Sequence, residues 1–137
     1  MTLRFLDTNI LLYGISDRPD EAAKRQIADD LLDHDRNGLS VQVLQEFYHQ
    51  ATRPTRTDAI SHGTAVALVH RLCRFPVLPM TVDLMEDAFA IRKASGYSYW
   101  DSAIIAAAAA LGCAEVVTED MQHNHRIAGI RIVNPFR

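Results

Sequence analysis

Four acidic residues, Asp7, Glu46, Asp101 and Asp120, stand where apolar runs end or helices begin, and together they could hold a divalent cation. Asp7 closes the short run Leu3 to Leu6 and is followed by Thr8 and Asn9. Asp120 lies two residues beyond Thr118, at the end of another apolar run. In parallel α/β sheets, ligand sites lie beyond the carboxyl ends of the strands. Carboxylates gathered there raise one another's pKa, a cost that a hard divalent ion removes. Glu46 comes one turn after Val43, at the edge of an apolar helix face, and Asp101 comes three residues after Ser98. An aspartate in the first turn of a helix stays ionised near the positive end of the dipole.

Three of these acids also have a structural reading of their own. Asp7-Thr8-Asn9 suits a turn or a helix N-cap. Glu46 suits an exposed helix position. Ser98-x-x-Asp101 suits a capping box, although that motif favours the longer Glu or Gln. His123-x-His125 has no companion ligands and reads as an exposed loop rather than a zinc site. There is no GxxxxGK[ST] phosphate loop, no Gly-x-Gly-x-x-Gly after the first strand and no nucleophile elbow around Ser16, Ser40, Ser95 or Ser102.

The elements that must position these residues alternate along the chain. Strands are expected at 3–6, 39–41, 76–79, 114–118 and 130–133. Helices are expected at 10–15, 20–35, 43–51, 58–74, 82–95 and 98–111, from apolar residues at three- and four-residue spacing. Asn37-Gly38 is expected to stop the second helix. The prolines around Val77-Leu78 suit a sheet edge. The alanine run 106–110 allows its helix to approach the sheet or a neighbour closely. Strands alternating with helices predict a parallel sheet covered on both faces.

Composition sets further bounds. The 137 residues fit one domain with one core, so 1–137 is expected to be a single domain. Hydrophobic residues make up 48% and charged residues 23%, which excludes a disordered chain. The longest apolar run, Ala103 to Leu111, is too short to cross a bilayer, and Asp7 interrupts any N-terminal signal core. A cytoplasmic protein away from membranes is therefore expected. Cys73 and Cys113 form no CxxC motif and are expected to be two buried thiols. The net charge of −3 argues against nucleic-acid binding by bulk electrostatics. A carboxylate metal site would account for part of that charge, and all but Lys24 and Lys93 of the cations are arginines, the better phosphate ligands.

Taken together, these segments resemble the PIN-domain family. The resemblance rests on Phe5-Leu6-Asp7-Thr8-Asn9-Ile10-Leu11-Leu12-Tyr13, on Ser40 to Tyr48 with Glu46, and on Ser98 to Ala108 with Asp101. It extends to Val117-Thr118-Glu119-Asp120-Met121 and to the tail Ile130 to Phe136. It implies a three-layer α/β/α sandwich with a central parallel sheet of strand order 3-2-1-4-5. It also implies Mg²⁺-dependent (or Mn²⁺-dependent) hydrolysis of phosphodiester bonds, usually in RNA. A domain of this length resembles the VapC-type toxins of toxin–antitoxin pairs, which implies an inhibitory antitoxin and a homodimer. On this reading Asp7, Glu46, Asp101 and Asp120 are catalytic, with Asp7, Asp101 and Asp120 as metal ligands. Thr8 and Ser40 are candidate hydrogen-bonding supports. The fourth motif offers two adjacent acids: its Thr-x-Asp spacing favours Asp120, while Glu119 could share the role. Arg53 and Arg56 are candidate RNA contacts. Two other readings stay open, an RNA-processing nuclease without an antitoxin and a catalytically silent binding module.

Overall fold

The computed structural model describes residues 2–137. Its strands are β1 (Arg4–Leu6), β2 (Asn37–Ser40), β3 (Val77–Leu78), β4 (Glu115–Val117), β5 (Arg126–Ile127) and β6 (Ile130–Val133). Its helices are α1 (Thr8–Tyr13), α2 (Ala22–Leu32), α3 (Val41–Thr52), α4 (His62–Leu72), α5 (Val82–Ser95) and α6 (Tyr99–Ala110). The sheet runs β3-β2-β1-β4-β6-β5. All of its pairings are parallel except β5 with β6. The parallel part has the expected order, with β6 as the fifth strand, and β3 lies at the edge where its flanking prolines cost no ladder hydrogen bond.

Phe5 and Leu6 of β1, Leu39 of β2 and Val116 and Val117 of β4 are all buried. Strands covered on both faces lack a polar alternation, which is why β1 and β4 read as short apolar runs, whereas β2 buries Asn37 and Ser40 beside Leu39. On the helices the apolar residues recur with helical period, so Val43, Leu44, Phe47 and Ala51 form the inward stripe of α3. Helix α6 is buried from Ser102 to Ala108, and its small side chains let it lie close to the sheet and to α5. Where its end passes β2, a Cβ on Gly38 would meet Leu111 Cδ1 at 3.1 Å, so glycine suits this close approach.

Several expectations are corrected. Asn37-Gly38 does not merely stop a helix but opens β2. The buried Asn37 amide donates to the Leu31 and His34 carbonyls at 2.8 and 3.1 Å, so one side chain caps the end of α2 while its backbone joins the sheet. Helix α2 begins only at Ala22, after a 3₁₀ turn at Pro19–Glu21. Val41 is the first residue of α3 rather than the end of a strand, because Ser40 caps the helix immediately. Residues 58–61 precede α4, which starts after the Ser61 cap. Cys113 is buried, and burial pushes its thiol up to about 11; Cys73 is exposed, at the C-terminal cap of α4. The β5–β6 hairpin adds an antiparallel strand that the sequence reading did not contain. Its turn places Ala128 and Gly129 at φ of 51° and 78°. Two positive φ values are what the favoured two-residue hairpin turn requires. Among the described residues, no helix is long and apolar enough to cross a membrane.

Candidate active site

Leu6 and Val117 are partners in the β1–β4 register, so the chain segments leaving both strands emerge side by side. Asp7 follows the first and Thr118 the second, and the Asp7 N–H donates to the Val117 carbonyl at 3.1 Å. Asp7 is both N-cap and buried acid. Its Oδ1 accepts from the Thr8 N–H at 2.7 Å, and its Oδ2 accepts from the Thr118 hydroxyl at 2.8 Å. The carboxylate is therefore held at both oxygens.

The other acids converge on it from separate elements. Glu46, in the second turn of α3, accepts from the Thr8 hydroxyl at 2.9 Å and from the Gln42 amide at 2.9 Å. Asp120 accepts from Asn9 Nδ2 at 3.0 Å. Asp101 sits in the first turn of α6, where its N–H donates to the Ser98 Oγ cap at 3.1 Å. The cap and the acid thus coexist in one motif.

The charges also act on one another. Burial pushes Asp7 up to about 7, against the hydrogen bonds from Thr118 and Thr8, and the charges of Asp120 and Asp101 add to the rise. Burial also raises Asp101, assisted by Asp120 and Glu46. Like charges in proximity and a poorly hydrated Asp7 make a region that favours a compensating cation. The donors are all carboxylate oxygens, the ligand type of Mg²⁺ and Mn²⁺ rather than zinc. Among the described residues, no group of three or more His, Cys, Asp or Glu side chains is placed to hold a metal ion together. Mg²⁺ keeps several of its waters and needs only one or two direct carboxylates.

The remaining candidates separate. Thr8 links Asp7 to Glu46 through its backbone and hydroxyl. Ser40 is fully buried, and its Oγ caps α3 by accepting from Val43 at 3.3 Å. Glu119 is turned to other partners: it accepts from the Tyr13 hydroxyl and from Lys24 Nζ at 2.8 Å. Asp120, by contrast, lies near enough for its charge to act on Asp7 and Asp101. His123 and His125 have unrelated partners, the Asn134 N–H and the Tyr97 hydroxyl. Arg56 pairs with Asp58 at 2.9 Å and lines a cleft with Asn9, Tyr13 and Glu119. Arg53 lies in the neighbouring hollow with Arg18 and Arg56.

Thr118, Asn9 and Gln42 were not singled out from the sequence, yet they orient the acids. The Thr118 hydroxyl donates to Asp7 and accepts from Asn9 Nδ2 at 3.0 Å and from the Asp120 N–H at 3.1 Å. Their only advance signal was position, since each stands within four residues of a candidate acid. Thr118→Val keeps the shape and strips the buried Asp7 and its neighbours of a shared partner. Losing such a partner costs roughly 1–3 kcal/mol. The variant is expected to unfold at correspondingly lower urea concentration, with Thr118→Ser close to wild type; equal midpoints for all three proteins would refute the role.

Among curated proteins none matches the chain. A toxin–antitoxin complex from Klebsiella pneumoniae is similar at TM-score 0.71 and 22% identity, covering 96% of this chain and 97% of the other. The DNA-bound VapBC of Salmonella typhimurium gives 0.63 and 25%, with 96% and 97% covered. VapC20 of Mycobacterium tuberculosis, a toxin that cleaves the sarcin–ricin loop, gives 0.64 and 23%, with 82% and 86% covered. The PIN domain family model matches residues 4–128, from β1 to the turn before β6. That span carries all four converging acids, and the chain belongs to the PIN domain family.

Proposed function

We propose that this protein is a metal-dependent endoribonuclease and the toxin of a toxin–antitoxin pair. The observation that carries the reading is the convergence of Asp7, Glu46, Asp101 and Asp120 beyond the ends of β1 and β4, with Asp7 held at both oxygens. The similarity to toxin–antitoxin structures supports the biological role. The substrate assignment draws on VapC20, a toxin that cleaves the sarcin–ricin loop.

In this reading Asp7, Asp101 and Asp120 would hold Mg²⁺, directly or through its waters, with Mn²⁺ as a substitute. Such an ion would activate water, polarise the phosphate and stabilise the leaving oxygen. The chain's own contribution is orientation. Thr118 and the Thr8 N–H fix the Asp7 carboxylate, Asn9 fixes Asp120, and the Ser98 cap fixes the first turn that carries Asp101. Glu46, fixed by Thr8 and Gln42, orients the attacking water and accepts its proton at a carboxylate oxygen. The partners in this reading are RNA, a cognate antitoxin that blocks the acidic site, and a second copy of the chain.

The test is induced expression of the wild-type and Asp7→Asn proteins in bacterial cells, with RNA ends mapped across the transcriptome. Growth arrest with discrete new ends only in wild-type cells is expected. Identical end maps for the two proteins would overturn the nuclease. Relief of arrest on co-expression of the protein encoded next to this gene is the expected sign of an antitoxin.

A further inference from the structure

Beside the acidic site lies a hollow whose composition is unlike that of the site itself. It is lined by Gln42, Gln45, Glu46, His49 and Gln50 of α3 and by Trp100 of α6, with a cavity volume of about 460 Å³. The five α3 residues recur at three- and four-residue spacing and so form one stripe along the helix. Trp100 is 61% exposed although it immediately precedes Asp101. Its ring packs edge-on against Tyr99, with centroids 5.0 Å apart, and Tyr99 in turn touches Phe89 at 5.6 Å. The indole is thereby supported from behind. Gln42 Nε2 ties the hollow to the site: it donates to Glu46 Oε1 at 2.9 Å and to the Trp100 carbonyl at 3.3 Å.

We propose that this hollow receives one unpaired nucleobase of the substrate strand, stacked on Trp100 and read at its edge by Gln45, His49 and Gln50. The proposal rests on the nuclease reading above. Its lining favours a base over the alternatives. Among the described residues, no lysine or arginine lines the hollow, so it is a poor phosphate site. Amide and imidazole groups offer donors and acceptors together, as the edge of a base requires. Sequence-specific RNA recognition depends on splayed bases that stack on aromatic rings and are hydrogen-bonded at their edges. Because Glu46 belongs to both walls, a base held here leaves its own phosphate next to the carboxylates.

Trp100 is the sole tryptophan, so its fluorescence reports on this hollow alone. The probes are four short single-stranded 2′-O-methyl oligoribonucleotides, one for each base, with a blunt duplex as control, all titrated into the full chain with Mg²⁺. Saturable quenching by one or two of the single strands, and none by the duplex, is expected. Trp100→Ala is expected to raise KM for cleavage of unmodified RNA about tenfold, with kcat and the thermal midpoint little changed, and Trp100→Phe to recover much of the loss. Gln45→Ala and Gln50→Ala are expected to shift which base is preferred. The proposal fails if single strands do not quench while the wild type cleaves unmodified RNA. It also fails if Trp100 emission moves to the blue with protein concentration and Trp100→Ala halves the sedimenting mass, which would assign the indole to a second copy. Quenching without cleavage of any unmodified RNA would overturn the nuclease reading and leave the base pocket standing.

Discussion

Asp7→Asn is expected to lose metal-dependent RNA cleavage by about three orders of magnitude or more, while its metal-free form becomes more stable than the wild type at pH 8. The two effects have one cause. Asp7 is only 5% exposed, and burial has pushed its carboxyl up to about 7. A raised carboxyl pKa means that the folded state binds a proton more readily than the unfolded chain. Stability is then greatest below the unfolded value near 3.8, falls as the pH rises toward 7, and stays low above it. The full shift corresponds to at most about 4 kcal/mol. Asparagine removes the charge, keeps an acceptor for the Thr8 N–H, and forfeits the bond from Thr118, which costs about 1 kcal/mol. A net gain of about 1–3 kcal/mol at pH 8, vanishing at pH 5, is the expected balance. Urea denaturation in a chelator at the two pH values measures it. A variant that is less stable than the wild type at pH 8 would show that Asp7 is a structural acid, and undiminished cleavage would remove it from the site.

Chelation is expected to abolish cleavage, and Mg²⁺ to stabilise the fold in a pH-dependent way. At a hundredfold excess over its Kd, a ligand of the native state contributes about 2.7 kcal/mol. For a chain of this size that raises the thermal midpoint by roughly 5–10 °C. The cation competes with the proton on Asp7, whose carboxyl titrates at about 7. The shift is therefore expected at pH 8, to shrink through pH 7 and to be small at pH 5. Calorimetry with and without Mg²⁺, against K⁺ at equal ionic strength, separates site binding from screening. A pH-independent shift, or one matched by K⁺, would contradict a site built on Asp7. Mn²⁺ is expected to restore cleavage after chelation.

The acids were legible because each stands at a boundary that sequence reveals: the end of an apolar run for Asp7 and Asp120, the first turn after a serine cap for Asp101, the margin of an apolar stripe for Glu46. The β5–β6 hairpin was not legible, because its turn uses Ala128 at positive φ where Asn or Gly is the usual signal. Asn37 was misread for a related reason. Asn-Gly is an ordinary helix stop, and only the neighbouring β1 strand shows that this one also belongs in the sheet.

By itself the sequence determined the alternation of strands and helices and the parallel sheet, because hydrophobic period and capping act within a few residues, and it offered the four acids as candidates. The tertiary structure decided what those acids do to one another. Asp7 and Thr118 lie 111 positions apart, yet share a hydrogen bond of 2.8 Å because β1 pairs with β4. The same folding separated Glu119 from Asp120: Tyr13 and Lys24 draw the first away, and Asn9 holds the second beside the buried carboxylate. The local Thr-x-Asp spacing leaned toward Asp120, but what becomes of Glu119 depends on partners brought from other parts of the chain.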